Sequence, residues 1–523
     1  MAKINANKAD DIYKIKPAII KDLADYLPPI ITPLFNRSID ENEYPDALKY
    51  TKVIELYKGG DRTLPVSYRP ISLLPILAKL LDTIINDQLT TYLLDNDMLS
   101  PTQYAFRPNS NTTLALQAII NEIHKSNTNK QPVLAIYMDL SKAYDTVSHE
   151  KLINKLRTEF NFSDDTATFF EWYFKNRHQS THTTHAQSDM QVITHGIPQG
   201  STLSTTLFLL YINNIISTVQ SKVYTYADDT TLIVTVENIK DLQANAQSDL
   251  TDLIRYFHDN NLVPNPTKTT YTTFKPTNGT EIKLEIQGTA IEHTDTAKLL
   301  GIYVQDSIKY DRTISHVIKK LQHTTRNFRY ATTILPRMYM KRQYYAHAYP
   351  HLIYAIGIWG TQDASKQYIQ PLIRTHKKII RIVCNMPPRT HTQPLMQELE
   401  LLNLTNIYKL RVCAEMHPYI YQNSDKPLKR PYHDNKFLTV ANVHMHGTRF
   451  SANHIFTPNP NKYMQAKLTA PHFTNLYSEI WNSLPTELTK INSLNIFQKQ
   501  LKQHLLTEQQ NLYDQQMKQG HHL

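Results

Sequence analysis

Hydrophobic and polar positions alternate along the first 305 residues in two different periods. Residues 17–50 carry helix-like apolar spacing ("KPAIIKDLADYL", "ITPLFNRSIDE") broken by prolines. Residues 53–56, the turn "YKGGDR" and "YRPISLL" read as strand, tight turn and strand. "PILAKLLDTIINDQLTTYLLDN" has the spacing of a long amphipathic helix. Residues 133–138 form a continuous apolar run, a buried strand, and "SHEKLINKLRTEF" follows as a helix with Ser148 as its N-cap. "DTATFFEWYFKNR" is a further helix, and "VITHGIPQGSTLSTTLFLLYINNII" is a loop that enters one. "KVYTYADDTTLIV" (222–234) alternates as a strand should, yet carries Asp228 and Asp229 side by side in its middle. A helix ("ENIKDLQANAQSDLTDLIRYFHDNN") and short strands to about 305 complete this part. From about 312 the pattern is helical and basic, 424–475 is irregular, and the end is helical again. Interleaved strands and helices followed by helices alone predict an α+β core with helical additions.

Composition narrows the partners. The net charge is +10, which suits a polyanion. Two cysteines, Cys384 and Cys413, support neither a disulfide framework nor a cysteine-rich zinc module, and a reduced, intracellular protein is expected. No apolar run is long enough to span a bilayer, and the polar N-terminus is no secretory signal. Only 11 of 523 residues are glycine, where about 7% is usual. Such a chain should keep glycine where the backbone demands it.

The candidate chemistry lies in carboxylates. Asp139 ends the 133–138 strand and Asp228-Asp229 interrupt another. Taken alone, an Asp-Asp pair is more often a plain hairpin turn. If both strands share a sheet, the three carboxylates meet at its edge and repel unless a hard cation intervenes. Mg²⁺ takes such oxygen ligands together with substrate phosphates, and two ions can clamp an in-line phosphoryl displacement.

"YADD", "MDLSKAYD" and "GIPQGS" together resemble a reverse transcriptase. "VIELYKGGDRTLPVSYRPISLLPILAKLLD", "QYAFRPNSNTTLA", "NPTKTTYTTF", "KLLGIYV", "YPHLIYAIGIWG" and "IWNSLPTEL" narrow the resemblance to non-LTR retrotransposon polymerases, the jockey-like group especially. It covers roughly residues 17 to 507. It implies a right-hand polymerase: an N-terminal extension over 1–50, fingers and palm over 51–305, a helical thumb over 306–423 and a C-terminal region over 424–523. It implies RNA-directed DNA polymerisation with two Mg²⁺ ions (Mn²⁺ as the alternative). The partners would be an RNA template, a DNA primer or target DNA, and deoxynucleoside triphosphates. No membrane is expected, and the setting would be the nucleus or a cytoplasmic ribonucleoprotein. No endonuclease segment is evident, so that activity is expected to be supplied elsewhere or lost.

Residue by residue, the resemblance assigns the metals to Asp139, Asp228 and Asp229, with Asp145 left as a cap or turn residue. Lys268 of "NPTKT" matches the lysine that protonates pyrophosphate. Tyr144 matches the aromatic gate against a ribose 2′-OH. Lys58, Arg69 and Gln199 match nucleotide contacts. Arg107, Gly196, Gly200, Ser201, Leu300 and Gly301 match template–primer contacts. For the charged residues the plainer reading is a solvated surface. The sequence departs from the family at Ala105 (usually Gly), Leu48 (near an expected Trp) and Thr205 (usually Pro). In 373–382, Arg374, Lys377, Lys378 and Arg381 fall at helical spacings and suit a duplex backbone. His433, His444, His446 and His454 lack cysteine partners for zinc. Two rival readings remain at this point: an inert or domesticated RNA-binding remnant, and a group II intron-type reverse transcriptase with maturase function.

Overall fold

In the computed structural model, residues 1, 4–7, 9–274, 281–360, 366–421 and 472–519 are described. The four histidines at 433, 444, 446 and 454 lie outside the described residues. Ten strands organise the first part: β1 (Tyr50–Tyr57), β2 (Tyr68–Leu73), β3 (Val133–Met138), β4 (Leu140–Ser141), β5 (Arg177–His182), β6 (Gln191–Ile193), β7 (Lys222–Tyr226), β8 (Asp229–Thr235), β9 (Val263–Pro264) and β10 (Thr270–Phe274). They form a four-stranded sheet in the order β2-β1-β5-β6 and a five-stranded sheet in which β10-β3-β8-β7 are flanked by residues 292–293.

β3 is buried along its whole length, and its alternating side chains divide the interior in two. Leu134, Ile136 and Met138 face a core built with the helices Thr202–Tyr211 and Ile239–Asp259. Val133, Ala135 and Tyr137 face a second core shared with the helix Thr112–Thr128 and the helices beyond 311. In β8, Leu232 and Val234 take the first side and Ile233 the second. Period two thus decides which core each residue joins.

Most predicted elements are present. Ser148 caps the helix His149–Thr158 by accepting from the Lys151 N–H, and the helix Ile76–Asp95 has the expected length. The start of that long helix is held by Asp11, whose carboxylate accepts from the Ile76 N–H at 2.9 Å. Two elements were not expected from the pattern. β5 reads "RHQSTH" and pairs parallel with β1. The helix Thr112–Thr128 begins in a polar stretch, with Asn111 as its cap. Thr205 sits inside a regular helix and donates to the Thr202 carbonyl at 2.6 Å, so the missing proline does not loosen its start. Leu48 and Ala105 are buried where tryptophan and glycine were expected. The helix Lys366–Val383 packs against Asp311–Ala331. No helix among the described residues is long and apolar enough to cross a membrane.

Candidate active site

Two strand registers assemble the carboxylates. β3 pairs antiparallel with β8 so that Met138 opposes Thr230, which sets the next residues, Asp139 and Asp229, across from each other at the strand ends. β7 pairs with β8 so that Tyr226 opposes Asp229. Ala227 and Asp228 form the two-residue turn between them, and Ala227 takes the left-handed conformation, φ 56°. That conformation costs a residue with a Cβ about 1 kcal/mol. The turn and the site are therefore the same feature. By alternation Asp139 and Asp229 share the face of Tyr137 and Ile233, toward the helical region.

Electrostatics record the crowding. Partial desolvation raises the Asp228 pKa, and Asp139 raises it further, while its own backbone N–H and Arg69 oppose the rise. Asp229 is pushed up to about 6, first by desolvation and then by the like charges of Asp228 and Asp139. Its side chain remains exposed at the rim, so this is the desolvation of a crowded cleft rather than of a closed core. Asp139 is held differently. Its carbonyl accepts from the Asn265 N–H at 2.9 Å, next to the β4–β9 pair. That turn delivers Lys268, whose Nζ lies 3.0 Å from Asp139 Oδ2. Among the described residues no three His, Cys, Asp or Glu side chains are drawn close enough to hold a metal ion as they stand. The donor set nevertheless fits a hard divalent cation: oxygen ligands only, mutually repelling, beside a single lysine that a cation would displace.

The "GIPQGS" loop runs beside this cleft and is clamped from several sides. The Gly196 and Ile197 N–H groups donate to the Val147 and Tyr144 carbonyls at 2.8 and 2.9 Å. The Gln199 carbonyl accepts from the Ser72 N–H at 2.8 Å. Gly200 has φ 141°, and a Cβ there would meet the Ser72 carbonyl oxygen at 2.6 Å, so only glycine fits. Gln199 Nε2 donates to Asp145 Oδ1 at 2.8 Å. Asp145 thus does more than turn the chain: it orients the loop's amide.

Residues 57–304 match the family described as "Reverse transcriptase (RNA-dependent DNA polymerase)". This stretch matches a reverse transcriptase domain, and the similarity to non-LTR, jockey-like elements runs beyond it. Its relatives include the RNA-directed DNA polymerase from mobile element jockey of Drosophila melanogaster, 24% identical over 80% of this chain and 46% of that protein. The probable RNA-directed DNA polymerases from transposon BS and transposon X-element of the same fly are 24% and 22% identical, over 70% and 76% of this chain and 42% and 44% of theirs. The chain spans about half the length of the curated relatives it matches. Among solved structures, telomerase from Candida albicans in complex with a fragment of telomeric RNA is similar at a TM-score of 0.41, 11% identity, 72% of this chain and 69% of that one. The mixed helix-and-sheet architecture of the domain-matched region is consistent with a right-hand polymerase fold.

Within the reverse transcriptase domain the other expected site residues fall into two groups. Some face the cleft. Arg69 is exposed on β2, opposite Leu56 on β1, and its charge reaches Asp228. The Tyr144 ring stacks on Phe208 with centroids 4.6 Å apart, and its buried hydroxyl has no hydrogen-bond partner among the described residues. Burial, then the nearby Asp228 charge, raises that phenol's pKa. Leu300 and Gly301, φ 43° and 86°, make the tight turn between residues 296–299 and 302–305. The Leu300 carbonyl accepts from the Tyr354 hydroxyl, and Leu300 shares a small cavity with Tyr226 and Asp229. Lys58 is exposed just past β1.

The other two turn their side chains inward. The Ser201 side chain is buried: it caps the helix Thr202–Tyr211 and donates to Asp82 Oδ2 at 2.5 Å. Arg107 is folded onto the carbonyls of its own loop, Ser100 and Gln103, and burial lowers its pKa. Each side chain already satisfies groups that would be costly to leave unpaired. Asp82 was not anticipated. It sits fully buried in the middle of an amphipathic helix, takes hydrogen bonds from Ser201 and Tyr44, and has Arg177 as its neighbouring charge. A lone acid on an otherwise apolar helix face was the signal available.

Proposed function

We propose that this chain is an RNA-directed DNA polymerase that extends a primer 3′-OH with deoxynucleotides on an RNA template. The observation that carries the proposal is the convergence, through two strand registers, of Asp139, Asp228 and Asp229 at the ends of adjacent strands, with both members of the Asp228–Asp229 pair held above the usual carboxylate range.

On this reading the three carboxylates hold divalent cations, two Mg²⁺ ions, which when bound neutralise and align the reacting phosphate oxygens. Lys268 exchanges its Asp139 partner for the leaving pyrophosphate and gives it a proton. Arg69, with its planar fork, takes the triphosphate from the fingers side. Tyr144, braced on Phe208, closes the floor beneath the sugar and disfavours a 2′-OH. The Gln199 amide, aimed by Asp145, lines the nucleotide's path. The Leu300–Gly301 turn, buttressed by Tyr354, supports the primer end. Residues 51–305 would serve as fingers and palm and 306–423 as thumb.

The test is extension of a DNA primer on an RNA template with Mg²⁺, wild type beside Asp228→Asn. Removing a ligand to the reacting phosphate should cost at least about 100-fold in rate, the scale set by losing one major electrostatic group. A wild type that adds no deoxynucleotides, or a variant as fast as wild type, would overturn the proposal.

A further inference from the structure

A second concave site lies in the helical region, and none of its lining comes from residues 57–304. The helix Lys366–Val383 turns Lys377 and Arg381 into it. The segment that follows adds Arg389, His391 and Gln393, and the helix Leu494–Lys518 contributes Tyr513 from across the cavity. The cavity is about 400 Å³, within the roughly 300–1,000 Å³ of small-ligand pockets.

Its chemistry is one-sided. The lining holds several cations and no carboxylate. Lys377 and Arg389 are exposed, and neither has an ion-pair partner among the described residues. Arg381 is pinned by donating from Nε to the Thr390 carbonyl at 2.7 Å. Gln393 Nε2 is buried without a hydrogen-bond partner among the described residues, a donor left without an acceptor. The His391 and Tyr513 rings stand 6.3 Å apart, tilted by 57°, and give the site two separately oriented aromatic faces. Positive charge, an unmatched amide donor and aromatic faces together suit one unstacked base and its phosphate. The row of cations in 373–382 is therefore divided: Lys377 and Arg381 line the cavity, and Arg374 and Lys378 do not.

We propose that this cavity captures a nucleotide of single-stranded RNA outside the catalytic cleft, with the base against Tyr513 and His391, the phosphate on Arg389 and Lys377, and Gln393 donating to a base acceptor. A duplex does not fit a hole of this kind, because its bases are stacked inside. The inference rests on the polymerase reading in one respect: it takes the RNA to be the template strand away from the copied end.

The test uses the full chain and a labelled single-stranded RNA of about 12 nucleotides, within the roughly 4–16 bound by one single-strand module. Arg389→Ala and Tyr513→Ala should each weaken its binding by about tenfold. RNA duplex binding and the initial rate on saturating primer–template should stay at wild-type values. Single-stranded DNA of the same sequence reports whether the 2′-OH is read. Wild-type RNA affinity in Tyr513→Ala, or an equal loss for single strand and duplex, would overturn the capture site. Thermal melting of both variants at the wild-type temperature shows that they fold. Selective RNA loss in a chain that extends no primer would leave the capture site standing and defeat the polymerase reading instead.

Discussion

At the scale of single residues, the cleft is paid for in stability. Asp228 and Asp229 are both held with raised pKa, so folding favours their protonated forms. The sign follows from linkage. A carboxyl whose folded pKa exceeds its unfolded value, about 3.9, is destabilising once pH rises through the window from there to about 6. Asp229→Asn should therefore stabilise the metal-free protein at pH 7 by about 1 kcal/mol once solvent screening of this exposed group is counted, read as a higher melting temperature. At pH 4 the gain should vanish, and polymerase activity should fall at every pH. A variant less stable than wild type at pH 7 would mean that Asp229 is a structural turn residue. Local rules broken without local benefit are where function is expected, and Ala227 at φ 56° belongs to the same strained tip.

At the scale of elements, the helix Lys366–Val383, packed on Asp311–Ala331, carries a buried histidine. His376 is fully buried, its ring nitrogen lies 2.9 Å from the Tyr344 hydroxyl, and desolvation lowers its pKa to about 4. Here the folded value lies below the unfolded one. The contribution is intact above about 6.5 and is lost as pH falls toward 4, at up to about 1.4 kcal/mol per pH unit. His376→Gln keeps a polar partner for Tyr344 and removes the titration. Its melting temperature should change less than that of wild type between pH 6.5 and 4.5; an unchanged pH slope would assign the acid lability elsewhere. Among the strands and helices, apolar periodicity found β3, the long helix Ile76–Asp95 and the helix after "GIPQGS". It missed β5, whose polar residues form a strand because β1 and β6 flank it, a neighbourhood that no local pattern encodes.

At the scale of the whole molecule, the C-terminal helices are part of the interior. Trp481 is fully buried, with its ring 5.3 Å from that of Phe497, in the same core as the helix Thr112–Thr128 and the inner face of β3. Gln117 on that helix donates to Tyr477 and Glu415, which joins the sheet's helix to the far end of the chain. Trp481→Ala should cost about 3–5 kcal/mol, as for other buried aromatic truncations, and should lower the midpoint at which primer extension is lost on heating. Loss of tryptophan burial with extension unchanged at all temperatures would mean that the regions melt independently.

The order of elements, the three carboxylates and the glycines of the tight loop were legible in the chain itself, because periodicity and backbone demand are local properties. The resemblance added roles to those residues. Which side chains face the cleft was decided by packing. Ser201 and Arg107 stand in the expected segments, yet the buried Asp82 and the carbonyls of residues 100 and 103 claim them. Asp139 and Asp229 meet only because antiparallel register sets their strand ends side by side. Register and burial are long-range agreements between segments, and a one-dimensional pattern holds each partner without saying that they will meet.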